Sequence, residues 1–241
     1  MEKVTCRLVP FALQDGPHNM AADEVLLQSA QSGQASLRFY GWTEATLSLG
    51  YFQASATRES DPKLLALPFV RRPTGGATLV HHHELTYALA LPEACRTGEP
   101  WLARMHRIIG AALNGLGVAC RAASKQEKEH SVLCFQQYTS GDLLLGGSKV
   151  AGSAQRRQKG CLLQHGAVLL RASPHAPQLP GILEQTGRDL SPGECQAAIV
   201  QEFLTDTGWE MYVHPWARRE EEMISQLVVK KYSCRDWNNK R

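Results

Sequence analysis

The chain has no apolar run near the roughly 18 residues that a membrane-spanning helix needs. Its N-terminus lacks the basic-then-apolar order of a signal peptide. A soluble, cytoplasmic protein with no membrane role is the expectation. Charge of one sign is also scarce. The formal net charge is only +3, from 26 Lys and Arg against 23 Asp and Glu. That is too little to argue for nucleic acid and fits only mildly with an acidic protein partner. Seven cysteines form an odd set without a CxxC pair or metal-ligand spacing, and read as free thiols in a reducing compartment. Internal repeats and low-complexity tracts are missing as well. What remains is ordinary globular composition, 43% apolar and 20% charged over 241 residues. A chain of that size can bury a core without disulfides or metals.

Periodicity and turn residues lay out the elements. Val4 to Pro10 reads as a strand, followed by a helix capped by Asn19, with Asp23 and Glu24 in its first turns and Gly33 at its end. Leu37 to Trp42 and Ala45 to Phe52 are rich in aromatic and branched residues and read as strands. Phe69 to Arg72 leads into a glycine pair, and Ala77 to Leu91 alternates like a hairpin. Trp101 to Leu116 has helical spacing and stops at Gly117. Gly146-Gly147 between Leu145 and Lys149 predicts a two-residue hairpin turn. Leu162 to Leu170 is a further strand. Four prolines make 172–192 a surface connection, and helices are expected from Glu194 to Thr205 and from Arg218 to Lys230. Strands interrupted by helices, without regular alternation, predict an α+β fold with a mostly antiparallel sheet.

Two segments carry the chemistry, RRPTGGATLVHHH from Arg71 to His83 and GGSKVAGSAQRRQKGCLLQHG from Gly146 to Gly166. Small residues let backbone approach a ligand, and Lys and Arg supply fixed positive charge. With NMAADEVLL, LRFYGWTEATLSLGYFQ and KKYSCRDWN they form five ordered motifs. In these motifs the chain resembles the lipoate–protein ligase and octanoyltransferase family. The resemblance covers most of the chain. It implies the α+β catalytic domain shared with biotin protein ligases, here as one domain over 1–241 with no C-terminal accessory domain. A GRGR-type loop and a KWPND segment are missing, which disfavours biotin.

The resemblance also assigns residues. Lys149 matches the acyl-contacting lysine, although an isolated strand lysine is usually a solvated charge. Its ammonium would stabilise the oxygen of a reacting acyl carbonyl. Cys134, in SVLCFQQYTSGD, stands where certain octanoyltransferases carry their nucleophile. A thiolate attacks thioesters readily, and a neighbouring ammonium favours the thiolate. The plain alternative is a buried structural thiol. Gly75 and Gly76 are a hairpin turn or the floor of an acyl pocket, and Gly152 and Ser153 continue that small-residue lining. Arg72 and Arg156 match positions that would hold ATP phosphates in a ligase, or a pantetheine phosphate or acidic carrier in a transferase. His81 and His165 match motif histidines that shape the pocket or act as acid and base. In the His81-His82-His83 triple only alternate residues share a strand face, and no carboxylate or cysteine completes a metal site, so no metal is expected.

The family reading is an acyltransferase of protein lipoylation. Octanoyl-acyl carrier protein is the expected donor. Lipoyl domains, such as the glycine cleavage H protein and dehydrogenase E2 subunits, are the expected acceptors. No cofactor is needed for that route. The alternative within the family is an ATP- and Mg²⁺-dependent lipoate–protein ligase working through lipoyl-adenylate. A non-catalytic lipoyl-domain-binding protein is the rival from another class, and it needs neither Cys134 nor Lys149.

Overall fold

The computed structural model describes residues 4–124 and 133–240. In chain order its elements are β1 (Thr5–Gln14), α1 (Gly16–Ala30), β2 (Ala35–Trp42), β3 (Thr46–Leu49), α2 (Pro62–Leu65), β4 (Phe69–Arg71), β5 (Leu79–His81) and β6 (Glu84–Leu91). There follow α3 (Trp101–Gly115), β7 (Arg121–Ala122), β8 (Leu143–Leu145), β9 (Ser148–Gln158) and β10 (Cys161–Leu169). The chain closes with α4 (Ile182–Thr186), α5 (Pro192–Thr207), β11 (Glu210–Val213), α6 (Arg218–Leu227) and α7 (Arg235–Asn238). Among the described residues no helix is long and apolar enough to cross a membrane.

Eight strands form the main sheet in the order β11-β1-β2-β6-β10-β9-β8-β7, and β4-β3-β5 form a small second sheet. The α+β class stands, with most neighbouring strands antiparallel. The exceptions are β1 with β11, β1 with β2, and β3 with β4, which run parallel. Side-chain alternation splits the core between the two faces of the main sheet. Phe39, Leu85, Tyr87 and Leu89 pack with α3 and α5 on one face. Tyr40, Ala88, Ala90 and Leu163 pack with α1 and α6 on the other. Helices on both faces leave every residue of β2, β6 and β10 buried. Polar residues on these strands, including Arg38, Thr86, Gln164 and His165, therefore lie inside the molecule and need internal partners.

The local readings hold in part. The Gly146-Gly147 turn forms, joining Leu145 to Ser148 with φ of 55° and 92°, a conformation that side chains with a Cβ resist. Helix α1 starts earlier than predicted. Asp15 is its N-cap and accepts from the His18 N–H at 2.9 Å, while Asn19 bridges the Gln14 and Gly41 carbonyls at 3.1 Å each. The single hairpin expected over 77–91 divides between sheets: β5 pairs with β3, and β6 pairs with β2 and β10. The histidine triple sits at that crossing, so strand alternation does not govern it. His82 and His83 have left the strand and stack at 3.5 Å. The connection expected over 172–192 contains α4 and buries Ala176, Leu179 and Ile182.

Candidate active site

A cavity with about 510 Å³ of empty space, its mouth included, opens between the two sheets. Its walls come from distant stretches of chain: Met20 of α1, Ser48 of β3, Leu79 of β5, Thr86 of β6 and Ala167 of β10. Seven of the ten predicted site residues line it: Arg72, Gly76, His81, Cys134, Gly152, Ser153 and His165. Lys149, Gly75 and Arg156 do not.

Lys149 is not the solvated strand lysine that an isolated reading suggests; only 6% of it is exposed. Its Nζ donates to Asp142 Oδ2 at 2.8 Å, stands 3.8 Å from Cys134 Sγ, and lies 5.0 Å from the centre of the Phe135 ring. An irregularity in the β8–β9 pairing places it there. Leu144 faces Lys149 but Leu143 faces Ala151, leaving one extra residue on β9 at this point. Asp142 is itself held, accepting from the Thr139 N–H at 2.8 Å and the Thr139 hydroxyl at 3.2 Å. Lysine and carboxylate thus form a buried, oriented pair behind the cysteine.

Cys134 is half-buried, and its backbone N–H donates to the Thr78 carbonyl at 2.6 Å. That bond ties the segment after residue 133 to the wall of the small sheet. Burial pushes Cys6 up to about 12 and Cys195 up to about 11, which keeps them protonated and inert. Cys134 combines a cavity-facing position with a neighbouring ammonium.

Arg72, expected to hold phosphates, is turned inward. It donates to the carbonyls of Gly75, Ala77 and Ser48 and to the Ser48 hydroxyl at 2.6–3.1 Å. The guanidinium therefore shapes the glycine loop, and burial lowers its pKa. Gly75 contributes its carbonyl to this clamp and stands outside the cavity wall. Gly76 and Gly50 are in closer contact: a Cβ on Gly50 would lie 1.9 Å from the Gly76 carbonyl oxygen. Arg156 is half-buried, donates to the Pro73 carbonyl at 3.1 Å, and faces the Tyr51 ring at 5.9 Å.

Both motif histidines are fully engaged. His81 Nδ1 meets Glu84 Oε1 at 2.5 Å, its Nε2 meets the Ser48 hydroxyl at 2.8 Å, and its ring stacks on Trp42 at 3.8 Å. Burial lowers its pKa, partly opposed by Glu84. His165 links the Thr74 hydroxyl at 2.6 Å to Asp23 Oδ2 at 2.9 Å. Asp23 also accepts from Arg38 at 3.0 Å and from the Tyr40 hydroxyl at 2.9 Å. Among the described residues no group of three or more His, Cys, Asp or Glu could hold a metal ion.

Sequence reasoning missed four residues of this site. Asp142, Glu84 and Asp23 each fix a predicted residue, and His106 of α3 contacts Ser153 at 2.7 Å. Residues 15–203 match the model of the lipoyl protein ligase A/B catalytic domain. The chain belongs to that family. It is similar to octanoyltransferase LipM of Anoxybacillus flavithermus, 34% identical with 100% of each chain covered. The octanoyltransferase LipM of Bacillus subtilis is 32% identical, again with 100% of each chain covered. Among solved structures, a lipoate-protein ligase A bound with ATP superposes with a TM-score of 0.79 at 22% identity, covering 98% of this chain and 99% of that one. A putative lipoate protein ligase from T. acidophilum with bound lipoic acid gives 0.79 and 22%, covering 99% and 100%. At that identity the structural likeness speaks for the fold.

Proposed function

We propose that this chain is an octanoyltransferase of protein lipoylation, working through a thioester on Cys134 as one catalytic unit over 1–241. The observation that carries the reading is Cys134 Sγ on the cavity wall with Lys149 Nζ 3.8 Å behind it. In the first step the Cys134 thiolate attacks the octanoyl carbonyl of a thioester donor. A new C–S bond forms, the donor C–S bond breaks, and the donor thiol departs with a proton. In the second step the ε-amine of a lysine attacks the octanoyl-enzyme. The amide C–N bond forms, the C–S bond to Cys134 breaks, and the amine proton is released. Both steps place negative charge on the carbonyl oxygen, where a fixed cation in a water-poor site is most effective. Lys149 supplies the cation.

Octanoyl-acyl carrier protein is the proposed donor, and lipoyl domains of the glycine cleavage H protein or dehydrogenase E2 type are the proposed acceptors. The octanoyltransferase names of the relatives that cover the whole chain support octanoyl as the group transferred. The apolar wall of Met20, Leu79, Phe135 and Ala167 suits an alkyl chain, and no cofactor takes part in the scheme. Seven free cysteines suit a reducing cytoplasm. ATP and Mg²⁺ belong to the ligase alternative, which the inward-turned Arg72 disfavours because its donors already meet carbonyls and a hydroxyl. The decisive measurement is intact mass after incubation with octanoyl-acyl carrier protein. One added octanoyl group, removed by hydroxylamine and not acquired by Cys134→Ala, is expected. A wild-type protein that stays unmodified while transferring octanoate would overturn the thioester route.

A further inference from the structure

The second step leaves one proton without a named acceptor. A lysine amine that attacks a carbonyl must lose it before a neutral amide remains. Lys149 is poorly suited to take it, because its ammonium is already donating to Asp142 at 2.8 Å. The cavity wall offers another group. Ser153 lines the cavity with Cys134, and its hydroxyl lies 2.7 Å from His106 Nε2.

The tautomer of His106 follows from its other nitrogen. Nδ1 is 2.7 Å from the Gly141 carbonyl, which can only accept, so Nδ1 carries the hydrogen. In the neutral ring Nε2 is then bare and accepts from the Ser153 hydroxyl. Gln164 Nε2 donates to Ser153 at 3.3 Å and to the Tyr87 hydroxyl at 2.8 Å, holding the serine oxygen in place. The hydroxyl oxygen is thus oriented, and its proton already points at a base.

We propose that Ser153 and His106 form a proton relay for the amine step, in the reading of the site given above. As the amine nitrogen bonds to the thioester carbon, its proton passes to Ser153 Oγ while the serine proton passes to His106 Nε2. The C–S bond breaks, Cys134 leaves as a thiolate beside Lys149, and His106 is left as an imidazolium. The Gly141 carbonyl accepts from Nδ1 throughout, and the Asp142 carboxylate favours the charged ring. Ser153 is the catalytic residue of the pair, and His106 is a positioning residue that acts through it.

The charges around His106 fit a base that is neutral at rest. Burial lowers its pKa, with Asp142 opposing and Lys149 reinforcing that shift. On the side of α3 packed against α5, Asp206 is paired with Arg104 and Arg107, and Glu99 with Arg107. Arg121 on the edge strand β7 is exposed. The Tyr87 phenol beside Ser153 is pushed up to about 12 by burial and stays protonated through the working range.

The test separates the two half-reactions. Octanoyl-enzyme is formed from octanoyl-acyl carrier protein, counted by intact mass, then mixed with a lipoyl domain in single turnover. Ser153→Ala and His106→Gln should load Cys134 at near the parent rate and transfer about 10²-fold more slowly, the lower range for lost acid–base help. The transfer rate of the parent acyl-enzyme should fall with acid as His106 takes a proton, below the ordinary histidine range. Cys134 cannot titrate in this state because it is acylated. The acceptor lysine attacks only as a neutral amine and titrates near about 10.4 in every variant. The His106 limb is the additional fall on top of that one, and this additional fall should vanish in His106→Gln. Equal losses in loading and transfer, or an additional limb that persists in His106→Gln, would overturn the relay. A parent enzyme that never loads would instead sink the thioester reading itself, and thermal melting of each variant identifies any that fail to fold.

Discussion

The Lys149 side chain lies directly over Gly152, three residues along the same strand. A Cβ at position 152 would stand 2.2 Å from Lys149 Cε, 2.6 Å from its Nζ and 3.0 Å from Asp142 Oδ1. The glycine is what lets the ammonium turn back between Asp142 and Cys134. A Gly152→Ala variant should therefore push the lysine away while leaving β9 in place, since the obstructed atoms are the end of a flexible chain. The expected outcome is a loss of about 10²-fold in octanoyl transfer, the scale of one lost oxyanion-stabilising group. Stability should fall by only about 1–3 kcal/mol, the cost of a buried polar group left short of a partner. Transfer rate and denaturant midpoint measured on the same preparation check it. Unchanged activity would mean that the lysine position is unimportant.

Removing Lys149 itself should behave differently. Its side chain and that of Asp142 are 5% and 4% exposed, so Lys149→Ala leaves an uncompensated buried carboxylate. A cost of about 3–5 kcal/mol is expected for breaking such a pair from one side. Lys149→Met combined with Asp142→Asn removes both charges and should recover most of that stability. Activity should remain lost in both. Recovery of transfer in the double variant would show that the charge is structural only.

Much of this site was legible because some positions have few physical solutions. Two consecutive positive φ values favour glycine, so the Gly146-Gly147 pair marks its turn in the sequence. A small-residue run beside a lysine pointed to close approach by a ligand, and Gly152 and Ser153 do line the cavity. The partners were not legible. Asp142 follows a glycine before a strand and reads as a turn residue, and nothing local ties it to Lys149 seven residues later. His106 reads as one more residue of an amphipathic helix, because its contact with Ser153 depends on how α3 crosses β9. Arg72 lines the cavity as expected, but the sequence carries no sign of its inward rotamer, which serves four protein acceptors. The cap expected at Asn19 forms instead at Asp15, two residues before Pro17.

Acid should weaken the fold before it protonates most carboxylates. His81 and His106 both titrate lower in the folded chain than in the unfolded one, chiefly through burial. The unfolded state therefore binds the additional protons first. Their contribution is fully present above the unfolded histidine value of about 6.5 and is lost as pH falls through the folded values. For Glu84, burial raises the pKa, but the His81 charge and hydrogen bonds outweigh it and leave a net depression. Its contribution adds at lower pH, lost as pH falls through its own depressed value. Denaturant unfolding between pH 7.5 and 5 should show stability falling toward acid, by at most about 1.4 kcal/mol per pH unit for each proton taken up. His106→Gln should flatten that slope. A parent protein equally stable at both ends would contradict the burial of these rings.

Nucleotide should be dispensable. A thioester already carries the energy for amide formation, whereas a free carboxylate must first be activated, which requires cations on the phosphates of ATP. Two arginines of the glycine-loop motif are occupied elsewhere. Arg72 meets the Gly75, Ala77 and Ser48 carbonyls, and Arg71 is fully buried against the Gly50, Gln53 and Asn238 carbonyls. A bidentate phosphate clamp needs a guanidinium fork with open donors, and releasing either arginine would strip buried carbonyls of their partners. Transfer from octanoyl-acyl carrier protein to a lipoyl domain should thus run at the same rate with and without ATP and Mg²⁺. Free lipoate or octanoate with ATP and Mg²⁺ should release little pyrophosphate and yield little modified acceptor. Rapid pyrophosphate release with free lipoate, followed by lipoylation, would reverse the choice in favour of the adenylating ligase.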